Sequence, residues 1–488
     1  MSVVDVEEAR SVKAQRTDGP LYASRVRVYP KRVAGRFRRL KWAALVVLLA
    51  IYYVLPWIRW ERGPDAPDQA VLADMVGARF YFFWIEIWPQ QFYYLTGLLL
   101  LAALGIFLVS SVVGRVWCGY ACPQTVWTDL FMGIERWIEG DRNARIKRDK
   151  GPFTLEKAWR KTAKHGAWLV IAAATGGVWI VYFVDARVVV PQMASGEATT
   201  TVYFFFALFT ATTYALAGWA REQVCTYMCP WPRFQSAMLD EDSFVVSYKA
   251  WRGEPRGKHS KDQDWVGRGD CVACNQCVAV CPTGIDIRDG LQLQCIGCGL
   301  CVDACNTVMA KVGRPPDLIA YETERNLKRA ASGARAGEAT RLVRSRTILY
   351  VLLMVVVAGA MLWSLAFRPS LDINVIHERN PLFVALSDGS IRNGYTVKIL
   401  NMTRVPRVFT LAVQGAEGAE IRVVGQEAAT GRMAVLSAAP DGVAQYRVYL
   451  TLPRAAGAGD SKPIAFVLTD AASGEAAVRE TVFRGPAR

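Results

Sequence analysis

The sequence predicts a multi-domain protein with an α-helical integral membrane part, a cysteine-rich α+β insert and an all-β C-terminal domain. Five uncharged apolar runs are spread along the 488 residues, and short β-rich segments recur after Asp372. All twelve cysteines lie between Cys118 and Cys305. A hydrophobic content of 52%, with 39 Gly and 22 Pro spread along the chain, excludes a disordered, collagenous or coiled-coil protein.

The apolar runs predict five transmembrane helices. They are Trp42–Ile58, Phe92–Val113, His165–Val184, Thr201–Ala220 and Thr347–Phe367. Each is close to the roughly 20 residues that cross the hydrocarbon core as a helix. Buried core helices of a large soluble protein are the alternative, but five runs of this length argue against it. The first run follows a polar, basic stretch without a cleavable signal peptide, so we expect it to remain as an anchor.

The distribution of basic residues predicts the orientation in the membrane. Lys and Arg number 11, 3, 11, 1 and 18 in residues 1–41, 59–91, 114–164, 185–200 and 221–346. Positively charged loops stay on the cytoplasmic side, so the three rich stretches are predicted to be cytoplasmic and residues 368–488 to be exported. The net charge of +15 then lies on the cytoplasmic side. Anionic lipid explains this asymmetry better than nucleic acid, so we expect the lipid bilayer as a partner and no nucleic acid.

The same patterns predict five parts along the chain. They are a basic, mobile cytoplasmic arm (1–41), a four-helix membrane domain (42–240), a cytoplasmic insert with flanking tethers (241–346), a fifth transmembrane helix (347–367) and an exported β-domain (368–488). The predicted tethers are the charged, Gly- and Ala-rich stretches 241–268 and 306–346.

The C-terminal region predicts a small β-sandwich. Its β-rich segments include Tyr395–Leu400, Val408–Val413, Tyr446–Leu452 and Ile464–Leu468. They alternate with turn signals such as Asp388-Gly389 and Asp441-Gly442. No cysteine or histidine cluster lies there, so we interpret the domain as a binding module.

The placement of the cysteines excludes a disulfide framework. All twelve fall in stretches predicted to be cytoplasmic, where thiols stay reduced, and none falls in the exported region. We therefore interpret them as metal-binding or redox-active cysteines.

Eight cysteines form two C-x2-C-x2-C-x3-C runs, the pattern of bacterial two-cluster ferredoxins. In that pattern the last cysteine of each run ligates the other cluster. The spacing therefore predicts two [4Fe-4S] clusters, one held by Cys271, Cys274, Cys277 and Cys305 and one by Cys281, Cys295, Cys298 and Cys301. A zinc site fits poorly, because such sites typically have two C-x2-C pairs separated by a longer spacer than these runs contain. The insert is thus predicted to be an α+β two-cluster ferredoxin-like domain.

The other four cysteines form two C-x-Tyr-x-C-P motifs. The first holds Cys118 and Cys122 after the second apolar run, and the second holds Cys225 and Cys229 after the fourth. This looks like an internal duplication of a two-helix unit. An i, i+4 spacing predicts both thiols of a motif on one helix face, and pseudo-twofold packing of the halves would bring the four thiols together.

The residues leave the role of a four-thiol site open. Such a site can bind a soft ion such as Cu(I), cycle between dithiol and disulfide, or hold a further cluster. Small, buried hydrophobic cysteines at helix ends are the structural alternative.

The paired motifs after transmembrane helices, followed by a two-cluster segment, resemble the cytochrome c oxidase accessory protein family of the FixG/CcoG type over nearly the whole chain. The resemblance implies an Ig-like C-terminal domain, a bacterial inner (cell) membrane location, and reduction of Cu(II) to Cu(I) for assembly of a cbb3-type cytochrome c oxidase. It also implies that Cys118, Cys122, Cys225 and Cys229 are the catalytic, copper-handling thiols. The implied partners are the oxidase or its copper-assembly factors. Since the chain shows no nucleotide fingerprint, we further expect an unidentified cytosolic electron donor.

Two other functions remain open at this point. A quinol-linked electron-relay subunit of a periplasmic respiratory reductase system carries similar motifs, and the aromatic run Phe80–Trp84 with Glu86 could border its quinone. An interfacial aromatic belt with a solvated carboxylate is the simpler interpretation of that run. A non-redox assembly scaffold would leave the clusters without a role.

Overall fold

The computed structural model describes residues 27–63, 66–259, 264–333, 341–453 and 461–486, without the side chains of 426–430. The chain divides into two compact units. The first comprises the described residues of Met1–Trp60 and Gln69–Met361, and the second those of Glu61–Asp68 and Leu362–Arg488. The membrane helices and the ferredoxin-like insert thus belong to one unit, although the sequence suggests separate domains.

The helices described in the chain differ widely in length. They are α1 (Arg36–Val54), α2 (Tyr93–Val113), α3 (Val116–Tyr120), α4 (Pro123–Glu139), α5 (Arg142–Lys150), α6 (Leu155–Val181), α7 (Ala186–Ser195), α8 (Thr200–Thr213), α9 (Trp231–Met238), α10 (Ala250–Gly253), α11 (Gln276–Ala279), α12 (Leu300–Lys311), α13 (Glu324–Ala331) and α14 (Ser345–Ala366). Two π-helical segments, Tyr214–Ala220 and Val224–Met228, follow α8. Short 3-10 turns lie at Leu55–Trp57, Pro89–Gln91 and Ile287–Asp289.

Five helical segments among the described residues are long and apolar enough to cross a membrane. They are Arg36–Trp57, Pro89–Val113, Leu155–Val181, Thr200–Ala220 and Ser345–Ala366. All five coincide with the predicted runs, although the first begins ahead of Trp42 and the third ahead of His165. The first turns of these two helices therefore carry basic residues that hydropathy alone leaves outside the span.

The described part of the predicted basic arm, residues 27–41, is packed against the insert. The backbone N–H of Lys31 donates to the Ala279 carbonyl at 2.8 Å. The Asp303 carboxylate, on α12, accepts the backbone N–H of Phe37 at 3.2 Å and of Arg38 at 2.8 Å, and so caps the N-terminus of α1. The mobile arm expected from the sequence does not extend over these residues. Residues 1–26 lie outside the described part of the chain.

The segment before α2 forms a small antiparallel sheet of β1 (Val71–Asp74), β2 (Arg79–Phe82) and β3 (Ile85–Ile87). Part of the predicted aromatic run is strand β2. Glu86, in β3, is 8% exposed and pairs with Arg79 at 3.1 Å. The expected solvated carboxylate is therefore buried and ion-paired.

The stretches flanking the insert are folded rather than serving as tethers. Strand β4 (Val245–Tyr248) pairs antiparallel with β5 (Ile319–Glu322), with Val245 opposite Glu322 and Tyr248 opposite Ile319. One strand comes from each flank, so the pairing brings the two ends of the cluster-bearing segment together. The residues masked within the flanks, 260–263 and 334–340, are outside this description.

The second unit is a β-sandwich, as the sequence predicts. Its strands are β6 (Leu371–His377), β7 (Val384–Ala385), β8 (Ile391–Asn401), β9 (Arg407–Gln414), β10 (Glu420–Val423), β11 (Gln426–Gly431), β12 (Met433–Ala438), β13 (Gly442–Leu452), β14 (Ser461–Asp470) and β15 (Ala476–Arg484). One sheet has the order β11-β10-β13-β8-β6, with β7 also paired to β8, and the other has the order β12-β9-β14-β15. Alternate residues of β8 and β14 face the core, where Tyr395, Val397 and Phe466 are fully buried.

Candidate metal centre

Eight cysteines of the insert line two small cavities. The first cavity is bordered by Cys271, Cys274, Cys277 and Cys305. The second is bordered by Cys281, Cys295, Cys298 and Cys301, and Cys277 lies at its edge as well. Three cysteines of each quartet come from one C-x2-C-x2-C-x3-C run, and the fourth comes from the other run. The fold thus groups the cysteines in the crossed way that the ferredoxin spacing predicts.

Tight loops hold these cysteines close to the cavities. Ala273 and Asn275 adopt positive φ angles of 48° and 54° in the first loop, and Gly297 and Gly299 adopt 64° and 71° in the second. Gly297 is confined, because an added Cβ would lie 3.1 Å from the backbone carbon of Arg115. Successive residues of this kind turn backbone N–H groups towards an anion, which suits the sulfur atoms of a cluster.

The donor chemistry fits an iron–sulfur cluster in each cavity. Burial, followed by the like charge of the neighbouring thiols Cys274 and Cys271, raises the pKa of Cys305 to about 12. Burial likewise raises the pKa of Cys295 to about 12, although a hydrogen bond from the Gly297 backbone N–H opposes the rise. Thiols of this kind become thiolates only when bound metal stabilises the anion. Four thiolates at the corners of such a cluster would hold it in each cavity.

The four remaining cysteines lie on two matching helix breaks. Cys118 belongs to α3, but Cys122 is extended, with φ −60° and ψ 127°, and precedes Pro123 at the start of α4. Cys225 lies in the segment Val224–Met228, and Cys229 is again extended, with φ −80° and ψ 122°. The prediction that both thiols of a motif share one helix face is therefore wrong. A residue before proline is disfavoured in the helical region, so each helix ends before its second cysteine.

The two motifs nevertheless come together. Burial raises the pKa of Cys118 to about 12, and Cys122, Cys225 and Cys229 each add to the rise. Burial raises the pKa of Cys225 to about 12 as well, again with contributions from Cys122 and Cys229. The four thiols are thus within electrostatic reach of one another.

Polar contacts cross between the two halves of the duplication. The Cys118 thiol donates to Gln235 Oε1, on the helix that follows the second motif, at 3.1 Å. Gln124, which follows the first motif, donates to the backbone oxygens of Leu216 and Arg221 at 2.8 and 3.1 Å. These contacts fix the first motif against the segment that leads into the second.

The first motif is packed directly on the loop of the second cysteine quartet. A Cβ added to Gly119 would lie 2.9 Å from the Ile296 oxygen and 3.0 Å from the Cys298 Cα, so no side chain fits there. The hydroxyl of Tyr120 donates to the Cys298 oxygen at 2.9 Å. Arg115 donates to the Cys295 oxygen at 3.2 Å. Cys118 and Cys225 both contact the hydrophobic cluster that contains Cys298.

A buried ionic network lies beside the thiols. Burial alone would raise the pKa of Glu135, but Arg221 and Arg145 outweigh it and lower the pKa to about 2. Arg145 and Arg221 reach Glu135 at 2.8 and 2.9 Å. Arg38 makes a bidentate pair with Asp129 at 2.9 and 2.6 Å. Part of the positive charge that the sequence assigns to the membrane surface is therefore neutralised inside the protein.

Sequence reasoning missed the residues that join the thiols to the cluster loop. Gly119 and Tyr120 stand between the two cysteines of the first motif, and Arg115 precedes it. The sequence does contain an indication of this contact, because the first motif has Gly and Ala where the second has Thr226 and Met228. Small residues are expected where one backbone closely approaches another.

Three protein-family models match the chain. A model described as a 4Fe-4S binding domain matches residues 95–143, one described as a 4Fe-4S dicluster domain matches residues 220–324, and one described as the IG-like fold at the C-terminus of FixG matches residues 361–486. The first two cover all twelve cysteines, and the third covers the sandwich.

Curated relatives match the whole chain. The nitrogen fixation protein FixG of Rhizobium meliloti is 48% identical over 98% of this chain and 96% of its own length. Protein RdxA of Cereibacter sphaeroides is 47% identical over 92% of this chain and 93% of its own length. A solved FixG-related protein from Vibrio parahaemolyticus is 22% identical over 24% of this chain and 96% of that chain, with a TM-score of 0.20. The chain therefore belongs to the FixG family of membrane iron–sulfur proteins.

Proposed function

We propose that this protein passes single electrons from a cytosolic donor to a copper ion held at Cys118, Cys122, Cys225 and Cys229. In this proposal the chain reduces Cu(II) to Cu(I) for the assembly of a cbb3-type cytochrome c oxidase. The oxidase or its copper-assembly factors then receive the product.

One observation carries the proposal. The first C-x-Tyr-x-C-P motif lies against the loop of the second cysteine quartet, where Gly119 leaves no room for a side chain beside Cys298. A thiol site in direct contact with a cluster loop is placed to exchange electrons with it. Nothing in a purely structural role for the four cysteines requires this contact.

In the proposed reaction, the cluster ligands, the contact residues and the four thiols have different roles. When bound in the two quartets, the clusters supply electrons one at a time, and each Cu(II) ion takes one. Gly119 and Tyr120 hold the first motif on the Cys298 loop. The four thiols favour the product, because Cu(I) prefers sulfur ligands while Cu(II) prefers nitrogen and oxygen.

The proposal includes an orientation in the bacterial inner membrane. The N-terminus and the cluster-bearing insert face the cytoplasm, and the sandwich is exported. The excess of Lys and Arg in residues 1–41, 114–164 and 221–346 supports this arrangement. The four thiols then lie at the cytoplasmic end of the second and fourth spans.

A further cluster at the four thiols is a second candidate. The family model matched to residues 95–143 is described as a 4Fe-4S binding domain and includes Cys118 and Cys122. Iron analysis separates the two, because copper handling predicts about eight iron atoms per chain and a third cluster predicts about twelve.

The test of the proposed function is an anaerobic titration of the full-length protein. After iron and sulfide have been quantified and the clusters reduced, Cu(II) is added, and cluster oxidation is followed alongside Cu(I) formation. Stoichiometric Cu(I) that is retained by the wild type, and slowed or lost in the Cys122→Ala, Cys229→Ala double variant, supports the proposal. An identical response of both proteins would rule out the four thiols as the copper site, and quinone would then be tried as the acceptor.

A further inference from the structure

The two copies of the thiol motif have the same framework but different surroundings. Both read Cys-x-Tyr-x-Cys-Pro, and their second cysteines have similar extended backbones, with ψ of 127° at Cys122 and 122° at Cys229. The copies differ in what surrounds the tyrosine and the residues on either side of it. Their environments can therefore be compared position by position.

The first copy is enclosed. Tyr120 is 9% exposed and donates to the Cys298 oxygen, and Gly119 lies against the same loop. Thr226 occupies the Gly119 position in the second copy, where its side chain would not fit this contact. The copies are thus not interchangeable. Cys225 of the second copy also packs on the hydrophobic cluster that contains Cys298, but it is the first copy that brings its backbone and its tyrosine against the loop.

The second copy is open from its tyrosine onward. Tyr227 is 70% exposed and Met228 is 62% exposed, and Cys229 is the one exposed thiol of the four. Met228 replaces the alanine of the first copy, so an exposed thioether side chain directly precedes this thiol in the sequence. Thiolate and thioether sulfur are the ligands that select Cu(I) among first-row ions.

We propose that the two copies have separate tasks, with the first copy facing the electron supply and Met228 and Cys229 of the second copy exchanging copper with an external carrier. This inference rests on the proposed function and adds to it the place where the ion arrives and leaves. Release is a ligand exchange without a redox change, in which Cu(I) leaves Cys229 and Met228 as the incoming sulfur ligand binds. The partner is accordingly a carrier that presents thiol or thioether donors.

The first experiment measures access to the thiols without any copper reduction. The full-length, cluster-loaded protein is alkylated anaerobically with a maleimide, and labelling at Cys122 and Cys229 is followed by mass spectrometry. We expect Cys229 to react on the order of tenfold faster, because Cys229 is exposed whereas Cys122 is partly buried and gains full access only by local opening. Cu(I) supplied directly as a weak complex should protect Cys229. Equal labelling, or an absence of protection, would overturn the proposal.

The second experiment measures release. Cu(I) is loaded directly, and its transfer to the chelator bicinchoninate is timed for the wild type, Met228→Leu and the control Met433→Leu, which alters an equally exposed methionine of the sandwich. We expect Met228→Leu to change the transfer rate on the order of tenfold, as loss of an interaction at a metal site does. A rate equal to that of Met433→Leu would refute the role of Met228. Because Cu(I) is supplied directly, a failure of cupric reduction would be seen separately in the titration.

Discussion

Substitution of Gly119 by alanine tests the contact on which the proposed electron delivery depends. The new Cβ would meet the Ile296 oxygen at 2.9 Å and the Cys298 Cα and Gly297 oxygen at 3.0 Å. These neighbours are backbone atoms, so none can rotate aside as a side chain would. The two segments must separate by about half an ångström to reach ordinary contact distance.

Overpacking of this kind destabilises the folded arrangement by about 1–3 kcal/mol. If this free energy destabilises the contact between the first motif and the cluster loop, the fraction of molecules in which the two segments are separated rises about 5- to 150-fold, since each 1.4 kcal/mol is a factor of ten. Hydrogen exchange of the peptide containing Cys295–Leu300 should accelerate by that factor. Cluster oxidation by Cu(II), measured in a single turnover, should slow in the same variant.

Gly166→Ala is the matched control, because an added Cβ at Gly166 in α6 meets no atom within 4 Å. Both measurements should remain at their wild-type values in the control. If Gly119→Ala also exchanges and reacts like the wild type, the contact is not what couples the thiols to the cluster, and the argument from geometry fails.

Three further predictions concern other parts of the chain. Cys305→Ser should reduce the iron content from about eight to about four atoms per chain by removing the cluster of the first cavity, whose loss is detected by electron paramagnetic resonance. Glu135→Gln should destabilise the first unit by about 3–5 kcal/mol in thermal unfolding, because Arg145 and Arg221 lose their shared buried carboxylate. The lowered pKa of Glu135 means that its stabilisation is present above its ordinary value of 4.5 and is lost as the pH falls towards about 2, so the gap between wild type and variant should close over that range. Phe466→Ala should destabilise the sandwich core by about 3–5 kcal/mol and leave the iron content unchanged.

The sequence predicts what depends on local composition and spacing. Apolar runs of nearly 20 residues locate the five spans, and alternating β-rich segments locate strands such as Ile391–Asn401. The crossed cysteine quartets follow from a spacing whose geometry is repeated in two-cluster ferredoxins. Each of these features is contained within one short stretch of chain.

Contacts between distant stretches could not be predicted in this way. Tyr120 and Cys298 are far apart in the sequence, and no periodicity relates them. The pairing of β4 with β5 could not be predicted for two reasons. The two stretches have the charge and small residues typical of linkers, and a strand of four residues is too short to show a clear pattern. The prolines that follow Cys122 and Cys229 predict the end of each helix, whereas the i, i+4 spacing of the cysteines alone favours one continuous helix.

The duplication explains both the similarity of the two motifs and the value of their differences. Two cysteines, a tyrosine and a proline recur, and these residues are sufficient to reproduce the extended second cysteine of each copy. The residues between the cysteines break the symmetry: Gly119 allows close approach to Cys298, whereas Thr226 carries a side chain that would not fit this contact. The first copy lies against the loop with Gly119 and Tyr120, while Tyr227, Met228 and Cys229 of the second copy are exposed, and this is the arrangement that the proposed site needs to receive electrons on one side and exchange an ion on the other.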